Sequence, residues 1–250
     1  MCSRPRLLPS GSRYDPGESV HGAVSVIGSL NESALHAELK RLSAPPGSAF
    51  EVQVGGYVID AVCGGLLIEI QTRNLGAMRE KLAALLPEHR VRVVLPVAHT
   101  RWLEKLHPDG RVERRKSPKR GRVEQLFSEL VSAPGLFEHP NLELEVALVE
   151  EVESRRFEAG KAWRRRGWVV CGRRLERVHE RVAFREPAEL LTLLPPSLEE
   201  PFTTAEYAAH ARLPRRLAQQ AAYCLHALAL VERVGKSGNA HVYRRVTRGG

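Results

Sequence analysis

The run YVIDAVCGGLLIEIQ, residues 57–71, decides the fold of this chain. Its two halves are rich in valine, isoleucine and leucine, and a Gly-Gly pair joins them. Glycine pairs favour two-residue turns because glycine adopts positive φ at low cost, so the run predicts a β-hairpin. In that hairpin Asp60 lies directly opposite Glu69, with Cβ atoms about 5 Å apart, and Gln71 follows on the same face.

Apolar spacing on both sides of this hairpin predicts the rest of a core. A helix ends before Pro45, and a second glycine pair joins strands at residues 50–54 and 57–62. A helix over residues 74–86 and a valine-rich strand over residues 91–97 follow. The predicted order of elements is α-β-β-β-α-β.

Two carboxylates at this separation repel each other unless a cation lies between them. Carboxylate oxygens suit Mg²⁺ or Mn²⁺, and such an ion activates water and stabilises charge that develops on a phosphodiester. Glu38 lies on the core-facing side of the first predicted helix and is a further candidate. The alternative is a hairpin whose charged face is solvated, with Glu38 in a salt bridge at the edge of its helix.

A glutamate on the first helix, an aspartate on one strand and a Glu-x-Gln motif on the next resemble the PD-(D/E)XK nuclease superfamily over residues 32–106. The resemblance implies an α/β, restriction-endonuclease-like core, and it leaves a homodimer open. It implies that Asp60 and Glu69 bind the metal. The implied catalytic residues are Glu38, Asp60, Glu69 and Gln71. The superfamily usually has lysine in place of Gln71. Catalysis and a degenerate, non-catalytic scaffold therefore both stay open.

The runs IEIQTRN, residues 68–74, and RRKSPKRGR, residues 114–122, also resemble a bacterial family without an assigned activity. The second run belongs to a basic loop predicted over residues 109–122. The residues of these two runs that are predicted to bind DNA are Arg73, Arg114, Arg115, Lys116, Lys119, Arg120 and Arg122. A solvated, flexible loop is the alternative.

A basic α+β extension follows this loop. Residues 142–151 alternate apolar and acidic side chains, which is typical of a half-exposed strand. Trp163 and Trp168 lie among arginines further along the chain. Stacking on nucleic-acid bases is one interpretation of these tryptophans, and partly buried core positions are the favoured one.

Residues 202–246 predict a helix, a turn, a second helix and a β-hairpin, which is the plan of a winged helix-turn-helix. Recognition helices contact DNA through their N-terminal residues, and the hairpin adds a contact at its tip. The predicted DNA-binding residues of this unit are Arg215, Arg216, Gln219 and Lys236. Protein–protein contact is the alternative role of such a unit.

The net charge of +9 favours a polyanionic partner, and we expect DNA. No apolar run is long enough to span a membrane, so we expect a cytoplasmic protein without membrane contact. A non-catalytic DNA-binding regulator and a basic protein-interaction module are the competing interpretations. The predicted domains are a poorly ordered leader (1–28), a nuclease-like core (29–108), a basic loop with an α+β extension (109–195) and a winged helix-turn-helix (196–250).

Overall fold

The chain forms a mixed α/β structure around one long, mixed β-sheet. The structure is a computed structural model, and it describes residues 34–72 and 75–246. The predicted leader and Arg73 lie outside the described residues. Within the described ranges, no helix combines the length and apolar character needed to cross a bilayer.

The helices and strands are α1 Ala34–Ser43, β1 Ala49–Val54, β2 Tyr57–Cys63, β3 Leu66–Ile70, α2 Arg79–Leu85, β4 Arg90–Leu106, β5 Val112–Lys116, α3 Leu126–Leu130, β6 Leu142–Phe157, β7 Trp168–Phe184, β8 Phe202–Thr203, α4 Thr204–Ala211, α5 Arg215–Ala227, β9 Val231–Ser237 and β10 Ala240–Arg245. Short 3-10 helices occupy Leu75–Met78, Val123–Gln125, Pro134–Glu138, Trp163–Arg165 and Pro187–Leu193.

The predicted α-β-β-β-α-β order is confirmed by the elements from α1 to β4. The predicted hairpin register is confirmed as well, because Ala61 of β2 pairs with Ile68 of β3. The turn between these strands has Gly64 at φ 53° and Gly65 at φ 79°. Such positive φ values are the reason that a glycine pair is needed there.

The large sheet has the strand order β1-β2-β3-β4-β6-β7, and β5 pairs with the far half of β4. β4 pairs in parallel with both β3 and β6, and its other neighbour is antiparallel. The prediction of a loop over residues 109–122 is wrong in part, since Val112–Lys116 forms strand β5. The charged side chains of this strand are compatible with its position at a sheet edge, where they remain exposed.

The sheet has two covered faces, named here after the helices that pack on them. On the α1 face, Leu35 and Leu39 pack with Ile68 and Val94. The α2 face carries the larger core, which extends from the sheet into the C-terminal helices. This core includes Leu67, Leu82, Val93, Phe127, Leu144, Tyr207, Leu217 and Leu225.

The C-terminal elements form a helix–helix–hairpin unit with a small sheet in the order β8-β10-β9. Thr203 caps α4: the Glu206 N–H donates to Thr203 Oγ1 at 3.3 Å, and the Thr203 N–H donates to the Glu206 carboxylate at 2.6 Å. A hydrogen bond connects this unit to the segment that follows β5: Arg122 Nη1 donates to the Ala211 carbonyl at 2.9 Å.

Strand β6 lies between β4 and β7, and the prediction that it is half exposed is wrong. Four of its five glutamates, Glu143, Glu145, Glu151 and Glu153, are buried. Arginines of the neighbouring strands neutralise them: Arg101 pairs with Glu151, and Arg181 pairs with Glu145. The alternation of acidic and apolar residues predicted that the acidic side chains face solvent. In the structure these four side chains are buried and form ion pairs with arginines.

We expect Gly121→Ala to lower the free energy of unfolding by about 1–3 kcal/mol, as overpacking of a dense site does. Gly121 is buried, and an added Cβ would lie 2.5 Å from the Ala98 carbonyl oxygen and 2.7 Å from Val97 Cγ1. Urea unfolding measures the change. Gly172→Ala is the matched control, because its added Cβ meets no heavy atom within 4 Å. Equal stability changes in the two variants would contradict the close approach at Gly121.

Candidate functional site

The predicted acidic pair lies where β2 and β3 diverge. The backbone ladder between these strands ends at Ala61 and Ile68. Beyond it, Asp60 Oδ2 accepts the Ile70 N–H at 2.8 Å, and Glu69 Oε1 accepts the Asp60 N–H at 3.3 Å. The two residues are therefore neighbours, and both carboxylates serve as acceptors for the backbone of the opposite strand.

The side-chain partner of Asp60 comes from the α1 face. His36 Nε2 lies 3.1 Å from Asp60 Oδ1, and Lys40, one turn further along α1, binds Glu51 Oε1 at 2.9 Å. Burial alone would raise the pKa of Asp60. The hydrogen bonds that it accepts and the charges of His36 and Lys40 outweigh burial, so its pKa lies below the ordinary value.

Glu69 receives its cationic partner from the α2 face. Lys81 Nζ donates to Glu69 Oε1 and to the Val58 carbonyl, each at 2.7 Å. Burial raises the pKa of Glu69, Lys81 offsets part of this effect, and the neighbouring Asp60 charge adds to the rise. The two carboxylates thus contact helices on opposite faces of the sheet, whereas a regular hairpin would direct both to one face.

A backbone irregularity explains this difference. Glu51, which stands opposite Asp60 in the β1–β2 pairing, has φ 53°, a left-handed conformation that is uncommon outside glycine. Ile59 belongs to the α2-face core and Ala61 to the α1-face core, although residues two apart on a regular strand share a face. The strand therefore twists at Asp60 and turns this side chain towards α1.

The other two predicted catalytic residues lie nearby but have separate contacts. Glu38 Oε2 accepts the Leu175 N–H of β7 at 2.8 Å. Gln71 follows β3, and its backbone N–H donates to the Val94 carbonyl at 2.9 Å. Its side chain is half-buried.

These contacts do not fit one shared Mg²⁺ or Mn²⁺ ion. Each carboxylate of the predicted set holds a donor from a different element: α1 for Asp60, α2 for Glu69 and β7 for Glu38. Over residues 34–72 and 75–246, no group of three or more His, Cys, Asp or Glu residues is arranged to hold a metal ion. We therefore derive no hydrolytic step through a metal from this geometry.

Several of the basic residues predicted to bind DNA have partners within the protein. Arg114 and Lys116 of β5 lie over the Trp102 ring, at 4.7 Å and 5.9 Å from its centroid. Arg120 Nε donates to His99 Nε2 at 3.0 Å. DNA contact by these side chains would compete with the existing contacts.

Among these basic residues, Arg122 makes the most hydrogen bonds within the protein. It donates to both Glu124 carboxylate oxygens, at 2.7 Å and 3.2 Å, and to Ala211 of α4. Arg115 and Lys119 differ from it, because they are exposed and make no side-chain hydrogen bond or ion pair to any described residue. Of the residues predicted to bind DNA from this segment, Arg115 and Lys119 are therefore available without rearrangement of such contacts.

The C-terminal candidates form an exposed stripe along α5. Arg215, Gln219 and Tyr223 are spaced four residues apart and so share one helix face, with Arg216 beside them. All four side chains are exposed. The side chains of Arg215, Arg216 and Gln219 make no hydrogen bond or ion pair to the described part of the chain. Lys236 is exposed near the turn of the β9–β10 hairpin.

Sequence reasoning missed His36 and Lys81, the side-chain partners of the acidic pair. Lys81 is three residues after Met78 and four before Leu85, which are both buried, so it lies towards the core side of α2. Glu38 has the same kind of spacing relative to the leucines of α1, so the signal for Lys81 was present in the sequence. The His36 contact had no such signal, because it depends on the twist of β2.

The favoured interpretation of the tryptophans is wrong for Trp163, which is 80% exposed. Trp168 is half-buried, with its ring centroid 5.0 Å from that of His107 and 5.8 Å from that of Phe157. Trp163 is therefore exposed at the end of the β6–β7 hairpin, whereas Trp168 packs against neighbouring rings.

A sequence profile for a protein family matches residues 33–185, the segment from α1 to the end of β7. The chain belongs to the family described as Domain of unknown function (DUF8091). An uncharacterised protein of Treponema pallidum (strain Nichols) is 31% identical over 233 residues, which cover 88% of this chain and 87% of the relative. No solved structure gives a significant match. The family segment contains the acidic pair and the whole large sheet, and it ends before the helix–helix–hairpin unit.

We expect Asp60→Asn to lower the free energy of unfolding at pH 7 by about 1–3 kcal/mol, because the variant loses charged hydrogen bonds. The folded-state pKa of Asp60 is lowered, so its ionised form stabilises the fold above the unfolded pKa. This stabilisation is lost as the pH falls through the folded value. The difference between wild type and variant, measured by urea unfolding, should shrink as the pH falls below 3.8.

Glu69→Gln should show the opposite pH dependence. The folded-state pKa of Glu69 is raised, so its stabilising contribution is present below the ordinary value of 4.5 and is lost as the pH rises through the raised value. The stability of Glu69→Gln relative to wild type should therefore increase as the pH rises above 4.5. Parallel pH profiles for the Asp60 and Glu69 variants would contradict the opposed pKa shifts.

Proposed function

We propose that this protein binds double-stranded DNA through its helix–helix–hairpin unit, which we interpret as a winged helix-turn-helix. The observation that carries the proposal is the exposed stripe on α5, where Arg215, Arg216 and Gln219 have no partner among the described residues. The strand order β8-β10-β9 and the two preceding helices agree with this interpretation. We expect the protein in the cytoplasm, where it would encounter DNA.

The position of each side chain supports this role. Arg215 and Arg216 are the first two residues of α5, where the helix dipole favours a phosphate. Gln219 is one turn further along, within reach of base edges when a recognition helix lies in the major groove. Lys236 would contact the backbone from the hairpin, as a wing does.

The charge on α5 differs from that of the large sheet. Most arginines of the large sheet are held by carboxylates: Arg174 binds Glu104, for example, at 2.8 Å and 3.0 Å. The arginines of α5 have no such counter-charge, although ionic contacts are abundant elsewhere in the chain. A polyanion could bind there without breaking an existing ion pair.

Metal-dependent hydrolysis is the competing function that the PD-(D/E)XK resemblance implies. One observation favours it: Lys81 brings to Glu69 the positive charge that Gln71 does not supply. The division of Asp60 and Glu69 between two faces of the sheet counts against it. We therefore propose DNA binding without hydrolysis, on a scaffold whose carboxylates are neutralised by protein cations.

The double substitution Arg215→Ala and Arg216→Ala should weaken binding to duplex DNA about 10- to 100-fold. It should also reduce the slope of log affinity against log salt by about 2, since two phosphate contacts are removed. Fluorescence anisotropy over a salt series measures both effects. Arg41→Ala with Arg90→Ala is the matched control, because it removes the same charge from exposed positions outside the unit.

Equal losses in the two double variants would show that binding depends on net charge and not on α5. Wild-type protein without salt-sensitive DNA binding would instead favour the basic protein-interaction module.

Incubation with Mg²⁺ or Mn²⁺ should leave plasmid and branched DNA intact, because the acidic pair is held by His36 and Lys81. Any trace of cleavage should be the same in Asp60→Ala, which identifies a contaminant. Gel electrophoresis of the DNA gives the readout. Cleavage that survives purification and disappears in Asp60→Ala would overturn the non-hydrolytic proposal and support the nuclease.

A further inference from the structure

The β6–β7 hairpin ends in a cationic loop with an exposed aromatic ring. This loop, residues 158–167, is named here the hairpin tip. Trp163 at its centre is 80% exposed, which is the largest exposure among the large apolar side chains of the described residues. The next three residues, Arg164, Arg165 and Arg166, are also exposed. An exposed tryptophan among arginines indicates a contact surface, since a tryptophan usually gains stability from burial.

The hairpin tip has a defined backbone conformation. The Glu158 N–H donates to the Gly167 carbonyl at 2.8 Å, and the Arg166 N–H donates to the Trp163 carbonyl at 3.0 Å. The Phe157 ring packs directly on Gly167, where an added Cβ would lie 2.6 Å from the ring. A loop that is already ordered loses little conformational entropy when it binds a partner.

The charges of the tip leave several cations available. Glu158 is the only acidic residue between positions 156 and 167, and it is already paired with Arg156 and Lys161 at 2.6 Å and 2.7 Å. The Arg164 guanidinium lies 5.1 Å from the centroid of the Trp163 ring. Arg165 and Arg166 make no side-chain hydrogen bond or ion pair to the described residues, so the tip is complementary to an anionic partner.

The end of the neighbouring β4–β5 hairpin extends this surface. His107 packs against Trp168 with ring centroids 5.0 Å apart, and Lys105 Nζ lies 4.9 Å from the centroid of the same ring. Leu106 pairs with Arg156 across the two hairpins. The two hairpin ends are therefore in contact, and exposed Arg111, whose carbonyl accepts the His107 N–H at 2.9 Å, adds a cation to the β4–β5 end.

We propose that the hairpin tip binds unpaired nucleotides, with Trp163 stacked on a base and Arg164–Arg166 against the adjoining phosphates. Every base presents a π-face, so such a contact selects unpaired bases without selecting sequence. The proposal rests on the proposed DNA binding and deepens it: the preferred ligand is DNA with a single-stranded segment. Other exposed apolar side chains lie nearby, namely Phe157 at the end of β6 and the paired Leu106 and Val112 of β4 and β5. At the tip itself the Trp163 ring is flanked by arginines, which favours a phosphate-bearing ligand over the broad apolar face that membrane insertion needs.

The test compares a labelled oligothymidylate with a blunt duplex, using the full chain and fluorescence anisotropy at fixed salt. Trp163→Ala should weaken binding of the oligothymidylate about 5- to 100-fold and change duplex binding by less than about two-fold. Trp163→Phe should retain most of the affinity, because it keeps an aromatic face. Leu42→Ala is the matched control: Leu42 is an apolar side chain on α1 that is 58% exposed, and its loss should affect neither ligand.

Unchanged oligothymidylate binding in Trp163→Ala, or equal weakening for both ligands, would overturn the stacking proposal. Duplex binding that still depends on Arg215 and Arg216 would show that the proposed function survives this failure. Wild-type protein that binds neither DNA would overturn both. If Trp163→Ala instead reduces binding only to vesicles of phosphatidylserine and phosphatidylcholine, the tip contacts membranes and the nucleotide proposal is wrong.

Discussion

The burial of four glutamates on β6 is the constraint on which the large sheet depends. Removing the partner of a buried carboxylate costs several kcal/mol, so each of these residues requires a guanidinium beside it. A one-residue slip of β4 or β7 would turn every arginine to the other face and separate these pairs. The same contacts therefore neutralise the interior and fix the register of three long strands. The pairs are Arg92 with Glu143, Arg181 with Glu145, Arg101 with Glu151, and Arg155 and Arg173 with Glu153.

This use of arginine changes the meaning of the net charge of +9. A basic composition favours contact with polyanions, but the total does not say which cations are available. In the large sheet most arginines pair with a buried or half-buried carboxylate. Arg122 forms a hydrogen bond to the helix–helix–hairpin unit. The cations without such partners among the described residues include Arg215 and Arg216 at the start of α5 and Arg165 and Arg166 in the hairpin tip. Charged side chains without a partner inside the protein are therefore a better guide to a binding surface than the net charge of the sequence.

The sequence predicted best the elements that depend on local chemistry. Glycine pairs predicted the β2–β3 register, and the order helix, turn, helix and hairpin was predicted over residues 202–246. The long strands β4, β6 and β7 were harder to predict from the sequence, because their charges are neutralised by residues far away in the chain; Glu104 and Arg174, for example, are 70 positions apart. The acidic pair was located correctly, but its geometry was not. The twist at Asp60 accompanies a left-handed residue, Glu51, that no local pattern announces.

Conversion of the acidic pair into a metal site would require more than the arrival of an ion. Asp60 would have to turn to the α2 face, away from His36 and from the Ile70 N–H that it accepts at 2.8 Å. Leaving a buried N–H without an acceptor costs about 1–3 kcal/mol, and Lys81 would have to leave or share Glu69. A divalent ion would need to offset these losses together. Carboxylates that already hold their own cations are thus suited to stabilising the fold, as the glutamates of β6 are, and this leaves ligand binding to surfaces whose charges are not neutralised.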